Sequence, residues 1–406
     1  MKENRAPFSA LNGKTPEEVF GCLATPCYVL DEATLRRNGE ILKGLADRTG
    51  CKILLAQKAF SNYDCYPILA PYLAGTEASG LFEARLGREE LPEGEVHVFC
   101  GAYRDGEFDE LLCYADHIVF NSPAQLARFG TRAKAAGKSL GLRINPECST
   151  QQGHEIYDPC APGSRLGTTR AQWDAQMTAE LIALLDGLHF HTLCEQDSDA
   201  LEITLDAVAE TFGDVLPKMK WLNMGGGHHI TRADYDIPRL EHCIRKAQTL
   251  WGVEVYLEPG EACALNAGFL ASRVLDLTEN CGVKNAILDA SAACHMPDVI
   301  EMPYLPPVYG ASDMDAEAAN DDFVYRLGGP TCLAGDVVGD YRFDHALAPG
   351  ELVLFGDLAI YSTCKNNTFN GMPLPDIWLR RVDGALTRLA TFGYRDFKYR
   401  LGSKKE

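Results

Sequence analysis

Over roughly the first 260 residues, short apolar runs alternate with polar loops and with stretches of helical character. The runs cover residues 53–57, 75–79, 96–100, 117–121, 140–145, 187–191, 221–225 and 253–258. Helical patterning falls between them, at 81–86, 122–136, 179–185 and 201–212. Parallel neighbours need a helix-length crossover, so this alternation predicts parallel β/α units. Eight such units in about 200–250 residues is the stoichiometry of a closed (β/α)8 TIM barrel. An open doubly wound sheet has the same periodicity and stands as the alternative.

Past about residue 270 the pattern changes. Residues 271–277, 286–289, 323–327, 351–355, 376–382 and 386–391 read as strands, separated by turns such as Ala348-Pro349-Gly350 and Asp383-Gly384. Little helix intervenes, which predicts an all-β domain. A short strand at 27–30 fits either domain, and 309–322, rich in Ala, Asp and Glu, reads as a surface loop. The expected fold class is α/β: a barrel over 32–268 plus an all-β domain built from 1–31 and 269–406.

Composition narrows the function. At 406 residues, 46% hydrophobic and 23% charged, the chain is of ordinary globular type, not disordered or fibrous. Lys and Arg number 38 against 57 Asp and Glu, a net charge of -19, which repels nucleic-acid backbones and favours a cationic small substrate. No run approaches the ~20 apolar residues of a membrane span, and residues 1–14 lack the apolar core of a secretory signal. The 15 cysteines are scattered and odd in number, with no CxxC. This argues against a disulfide framework or a clustered zinc site and for a reduced, cytoplasmic protein without a metal.

Barrel active sites lie at the C-terminal strand ends, where four features converge. Lys58 follows the apolar stretch Ile53-Leu54-Leu55-Ala56; partial desolvation there would favour its neutral amine for covalent chemistry, and a solvent-facing lysine is the alternative. In Gly187-Leu188-His189-Phe190-His191 alternation points both histidines one way, with His191 able to stack on a planar cofactor or simply to be a bonded core histidine. Gly225, Gly226 and Gly227 let backbone N–H groups approach an anion, or form a plain turn. Glu258, pinned by Pro259-Gly260, needs a partner if buried: a protonated ring nitrogen, or a local Lys or Arg.

Together these residues resemble the alanine-racemase-fold family of pyridoxal 5'-phosphate (PLP) enzymes, and within it the decarboxylases. The resemblance spans nearly the whole chain. TPCYVLD at 25–31 resembles the opening strand, and Lys58 falls where the family's Schiff-base lysine falls. HFH at 189–191 resembles the strand whose last histidine stacks on the cofactor. GGG at 225–227 is similar to the phosphate loop, and EPG at 258–260 to the pyridine-nitrogen motif. GGPTC at 328–332 resembles the motif whose cysteine enters the partner subunit's site. Tyr361, followed by TFNG at 368–371, resembles the segment whose tyrosine touches the phosphate. Three departures matter: Glu261 stands where relatives carry a phosphate-binding Arg, Leu333 replaces the aspartate after the PTC cysteine, and the serine after HFH is missing. GLHFHTLCE, NMGGGHHI, EPGEA and HMPDVIEMPY resemble the carboxynorspermidine/carboxyspermidine decarboxylases.

The resemblance implies PLP as cofactor, Lys58 as its covalent anchor, His191 on its ring and Glu258 on its ring nitrogen. It implies Gly225–227 and Tyr361 on the phosphate, and Cys332, from the second subunit of a homodimer, as proton donor. The substrate would be a cationic carboxypolyamine gripped by carboxylates, with Glu261, Asp298 and Asp336 as candidates. Competing readings are a decarboxylase for meso-diaminopimelate or ornithine, a non-catalytic PLP-binding homologue, and a metal-dependent barrel hydrolase using His189, His191, His228 and His229.

Overall fold

The computed structural model describes residues 6–151, 158–312, 314 and 323–403. Within the expected loop at 309–322, residues 313 and 315–322 lie outside the described residues, as do residues 1–5 of the opening segment. The chain divides into two compact units, 36–263 and 1–35 with 264–406.

The first strand, β1 (Cys27–Asp31), belongs to the second of these. It pairs antiparallel with residues 268–271 and parallel with 376–380, which settles the 27–30 strand in the all-β unit. The barrel strands are β2 (Lys52–Ala56), β3 (Gly75–Ala78), β4 (Glu95–Phe99), β5 (His117–Phe120), β6 (Ser139–Arg143), β7 (Gly187–His189), β8 (Trp221–Asn223) and β9 (Glu254–Leu257). All neighbours are parallel, and β9 returns to β2, closing the barrel. Each of the eight apolar runs therefore holds one strand, and the open-sheet alternative falls away.

The connections follow from local chemistry. The helix Pro123–Ala135 starts where the Ser122 hydroxyl accepts from the Gln125 N–H, with proline in its first turn. It buries Leu126, Phe129 and Ala133 at helical spacing. Inside the barrel, Leu54, Val119, Trp221 and Tyr256 pack together. Trp221 fits because two neighbouring strands carry glycine: a Cβ would fall 2.4 Å from its ring at Gly141 and 2.0 Å at Gly187.

The all-β unit continues with β10 (Gly268–Asn280), β11 (Val283–Leu288), β12 (Ala311–Ser312), β13 (Val324–Gly328), β14 (Val337–Phe343), β15 (Leu352–Gly356), β16 (Asp376–Arg380) and β17 (Leu386–Ala390). They form a mostly antiparallel sheet in the order β12-β14-β13-β11-β10-β1-β16-β17, with β15 also on β10. Tyr28, Leu270, Leu288, Leu327 and Phe355 are buried in its core, each worth about 2 kcal/mol of apolar transfer. The pattern missed β12, which is only two residues long, and β14, whose alternation is broken by Gly339-Asp340. Asp340 is held by Arg326 on β13 through bonds of 2.7 and 2.8 Å.

Candidate active site

Strand register builds the floor of the barrel mouth. Arg143 lies opposite His189, and His189 opposite Asn223, so three consecutive strands turn polar side chains inward at one level. Glu258, just past β9, meets them. Its Oε1 accepts from Asn223 Nδ2 at 2.6 Å and its Oε2 lies 3.0 Å from His189 Nε2. Phe99 stacks on His189, centroids 5.5 Å apart, and carries the Arg143 guanidinium 4.5 Å over its ring.

Electrostatics sets the protonation states. Burial alone would raise the Glu258 carboxyl; His189 and the Asn223 amide outweigh it and hold Glu258 below its ordinary range. His189 is pushed down by burial, against the pull of Glu258, so a neutral imidazole faces an ionised carboxylate. Burial lowers Arg143 to about 10, which leaves it cationic at neutral pH.

Sequence reasoning missed Arg143 and also Glu77 of β3. Glu77 is buried, and its carboxyl is pushed well above the usual range by burial and then by the Glu258 charge, with Lys58 opposing. Two carboxylates in one mouth thus take opposite states, a pattern typical of sites that handle protons. The signal in the sequence was one acid inside the apolar run 75–79.

A stability consequence follows from Glu77. Its folded value lies above its unfolded one, so the folded state binds more protons, and stability falls as pH rises from about 4.5 towards the folded value. Glu77→Gln is expected to abolish that decline and to be more stable than wild type at neutral pH. Urea midpoints of both proteins from pH 4 to 8 check this.

Lys58 stands in the turn beyond β2, between buried Gln57 and Ala59, and is itself exposed. The expected partial desolvation is absent because the strand stops two residues earlier, at Ala56. Its charge still acts on Glu77, His189 and His191, which places the amine at the mouth. Strand β7 ends at His189, so alternation no longer governs His191; instead its Nδ1 accepts the Gly226 N–H at 2.8 Å. Burial, then Lys58 and Arg143, holds His191 well below its ordinary value and keeps its ring neutral.

The glycines are demanded by close backbone approach. Gly225 and Gly227 have φ of 70° and 82°. A Cβ at 225, 226 or 227 would lie 2.5 Å from Phe190 O, 2.3 Å from Glu258 O or 2.1 Å from Leu193 O, respectively. Two of the three amides already have acceptors, Gly225 on Asn223 Oδ1 and Gly226 on His191 Nδ1. Beyond this turn, His229 Nε2 lies 3.1 Å from Glu261 Oε2. Burial lowers His229, but Glu261 wins and the net shift is upward. Of the four histidines offered to a metal, only His229 joins a three-donor set among the described residues, with Glu195 and Glu261.

In the sheet unit, the carboxylates expected to grip substrate are engaged within the chain. Asp298 pairs with Lys365, which also meets Glu301 at 2.5 Å. Asp336 is buried. It accepts from Ser291 Oγ at 2.9 Å, Thr331 Oγ1 at 2.7 Å, Ala293 N at 3.1 Å and Thr331 N at 3.3 Å. It therefore secures the loop that bears Cys332, which is exposed. Tyr361 is half-buried with φ of 55°, immediately before the short helix Ser362–Lys365.

A closed parallel barrel with its polar groups gathered at the C-terminal strand ends, and a mostly antiparallel sheet unit made from both chain ends, is an alanine-racemase-like architecture. The family model described as "Pyridoxal-dependent decarboxylase, C-terminal sheet domain" matches residues 27–359, and the chain belongs to this family of decarboxylases. It is 40% identical over 385 residues to a carboxynorspermidine/carboxyspermidine decarboxylase of Campylobacter jejuni, covering 93% of this chain and 98% of that one. It is 42% identical over 381 residues to a carboxyaminopropylagmatine decarboxylase of Synechocystis, covering 94% and 96%. The crystal structure of carboxynorspermidine decarboxylase complexed with norspermidine, from C. jejuni, superposes with a TM-score of 0.85 at 39% identity, covering 93% of this chain and 100% of that one. No helix among the described residues is long and apolar enough to cross a membrane.

Proposed function

We propose that the chain decarboxylates a carboxylated polyamine of the class named for these relatives, to norspermidine, spermidine or a close analogue, using pyridoxal 5'-phosphate at the barrel mouth. The observation that carries the reading is Glu258, a buried carboxylate kept ionised at the floor of that mouth. The mouth also offers what the cofactor requires: an exposed primary amine at Lys58, a neutral imidazole at His191 and a glycine turn too tight for any Cβ.

Lys58 would anchor the cofactor, His191 would lie against its ring, and Gly225–227 with Tyr361 would hold its phosphate. When bound, the cofactor supplies an electron sink for the pair left on the α-carbon as carbon dioxide departs. Glu258 strengthens that sink by keeping a proton on the ring nitrogen, the opposite of what an arginine would do there. This favours decarboxylation over racemisation. Cys332, from the second copy in a homodimer, returns a proton to the α-carbon. Glu261 and Asp298 meet the substrate's ammonium groups, each exchanging its present partner for one of them, while Asp336 acts through the Cys332 loop. In this reading 32–268 is the catalytic domain and 1–31 with 269–406 completes the dimer's sites. The acidic chain, with its 15 cysteines outside any disulfide, suits the cytoplasm.

The test is carbon dioxide release by the purified protein from carboxynorspermidine, carboxyspermidine, carboxyaminopropylagmatine, meso-diaminopimelate and ornithine. At least one carboxypolyamine should exceed both amino acids in kcat/KM by about a hundredfold, the discrimination that several buried polar contacts provide. Turnover of diaminopimelate or ornithine alone would overturn the proposal.

A further inference from the structure

One side chain touches Cys332 twice. The Cys332 N–H donates to Asn370 Oδ1 at 2.9 Å, and Asn370 Nδ2 donates to Cys332 Sγ at 3.3 Å. We propose that Asn370 is the positioning residue for Cys332: its amide fixes the main chain and the sulfur together, aims the thiol, and meets the thiolate that forms when the proton is delivered.

The surrounding bonds close into a ring. Asn367 N donates to Cys294 O at 2.9 Å and its Nδ2 to Ala293 O at 2.8 Å. Ala293 N donates to Asp336, which also holds Thr331, the residue before Cys332. The segment bearing Asn370 and the loop bearing Cys332 are therefore moored to the same residues, 291–294. Asn370 itself has φ of 60°, a left-handed conformation that asparagine tolerates better than most side chains but still at a cost. Backbone strain of this kind clusters at functional sites.

The chemistry gives the second contact its purpose. In the step assigned to Cys332, the S–H bond breaks and a C–H bond forms at the carbon that has lost its carboxylate. The carbon supplies the electron pair, and sulfur is left as a thiolate until solvent returns a proton. An N–H already aimed at sulfur stabilises that product state without reorganising. Among the described residues, the charged groups on the segments packed here have other partners: Asp336 faces Ser291 and Thr331, Arg400 donates to Thr368 Oγ1 at 2.6 Å, and Lys365 pairs with Asp298 and Glu301.

This inference rests on the reading of Cys332 as proton donor, but its test separates the two. Asn370→Gly removes the amide and accepts the left-handed φ. Asn370→Asp keeps the acceptor for the Cys332 N–H and replaces the donor to sulfur by a carboxylate. Alkylation of full-length holoenzyme by iodoacetamide, followed at the Cys332 peptide by mass spectrometry, is measured against pH. The alkylation midpoint should rise by about one unit in Asn370→Gly and further in Asn370→Asp, with kcat down about tenfold and KM little changed. A midpoint unchanged in both variants overturns the inference. Cys332→Ser tests the parent reading alone: undiminished turnover and normal amine product in that variant would refute Cys332 as the donor, whatever the alkylation profile shows.

Discussion

Purified Lys58→Ala is expected to be colourless, with turnover reduced on the order of 10³-fold or more, the scale of losing a group through which the rest of the site acts. Lys58 is exposed at the mouth, so its loss opens no cavity, and the thermal midpoints of cofactor-free wild type and variant should barely differ. Its charge opposes the raised state of Glu77 and helps hold His191 low, so removing it leaves Glu77 more firmly protonated and relaxes His191 towards its ordinary value. Visible absorbance, cofactor content after denaturation and steady-state rates check the prediction. A yellow Lys58→Ala protein with wild-type turnover would remove the amine from the chemistry.

Glu258→Gln is expected to retain cofactor yet lose about 10²–10³-fold in kcat, the effect of removing one preorganised electrostatic group worth about 3–4 kcal/mol. The glutamine carbonyl can still accept from Asn223 Nδ2, and His189 can take the other tautomer, its Nδ1 being free of other hydrogen bonds among the described residues. The variant therefore should fold. What it cannot do is carry the negative charge that holds a proton on a ring nitrogen. Unchanged KM and unchanged cofactor content alongside the lower kcat would place the loss in the chemical step; full activity would show that the proton is held by another group.

Much of the barrel could be read from the chain because each strand is a short apolar run between polar loops, and parallel pairing forces a helix into each gap. The mouth could be read only in part. Lys58, His191, the three glycines and Glu258 stand beside strand ends in recognisable motifs. Glu77 and Arg143 do not: each is a lone charge in an apolar run, and it becomes a neighbour of Glu258 only when the sheet closes and registers align. Strand ends were overextended, so His191 stands past its strand and is fixed by the Gly226 N–H instead. Asp336 looked like a ligand for substrate because its main partner, Ser291, is 45 residues away and no local pattern announces the pair. Asn370 lay inside a recognised motif, but nothing in sequence tied it to a cysteine 38 residues earlier.

The place of β1 has a consequence for biosynthesis. That strand is translated before the barrel, yet both its hydrogen-bonded neighbours, β10 and β16, are encoded after the entire barrel. During translation its edges wait unmated for more than 230 residues, and on the far side for nearly 350. The sheet can therefore be completed only after all eight barrel strands have been made, by pairings that bridge the whole of their sequence.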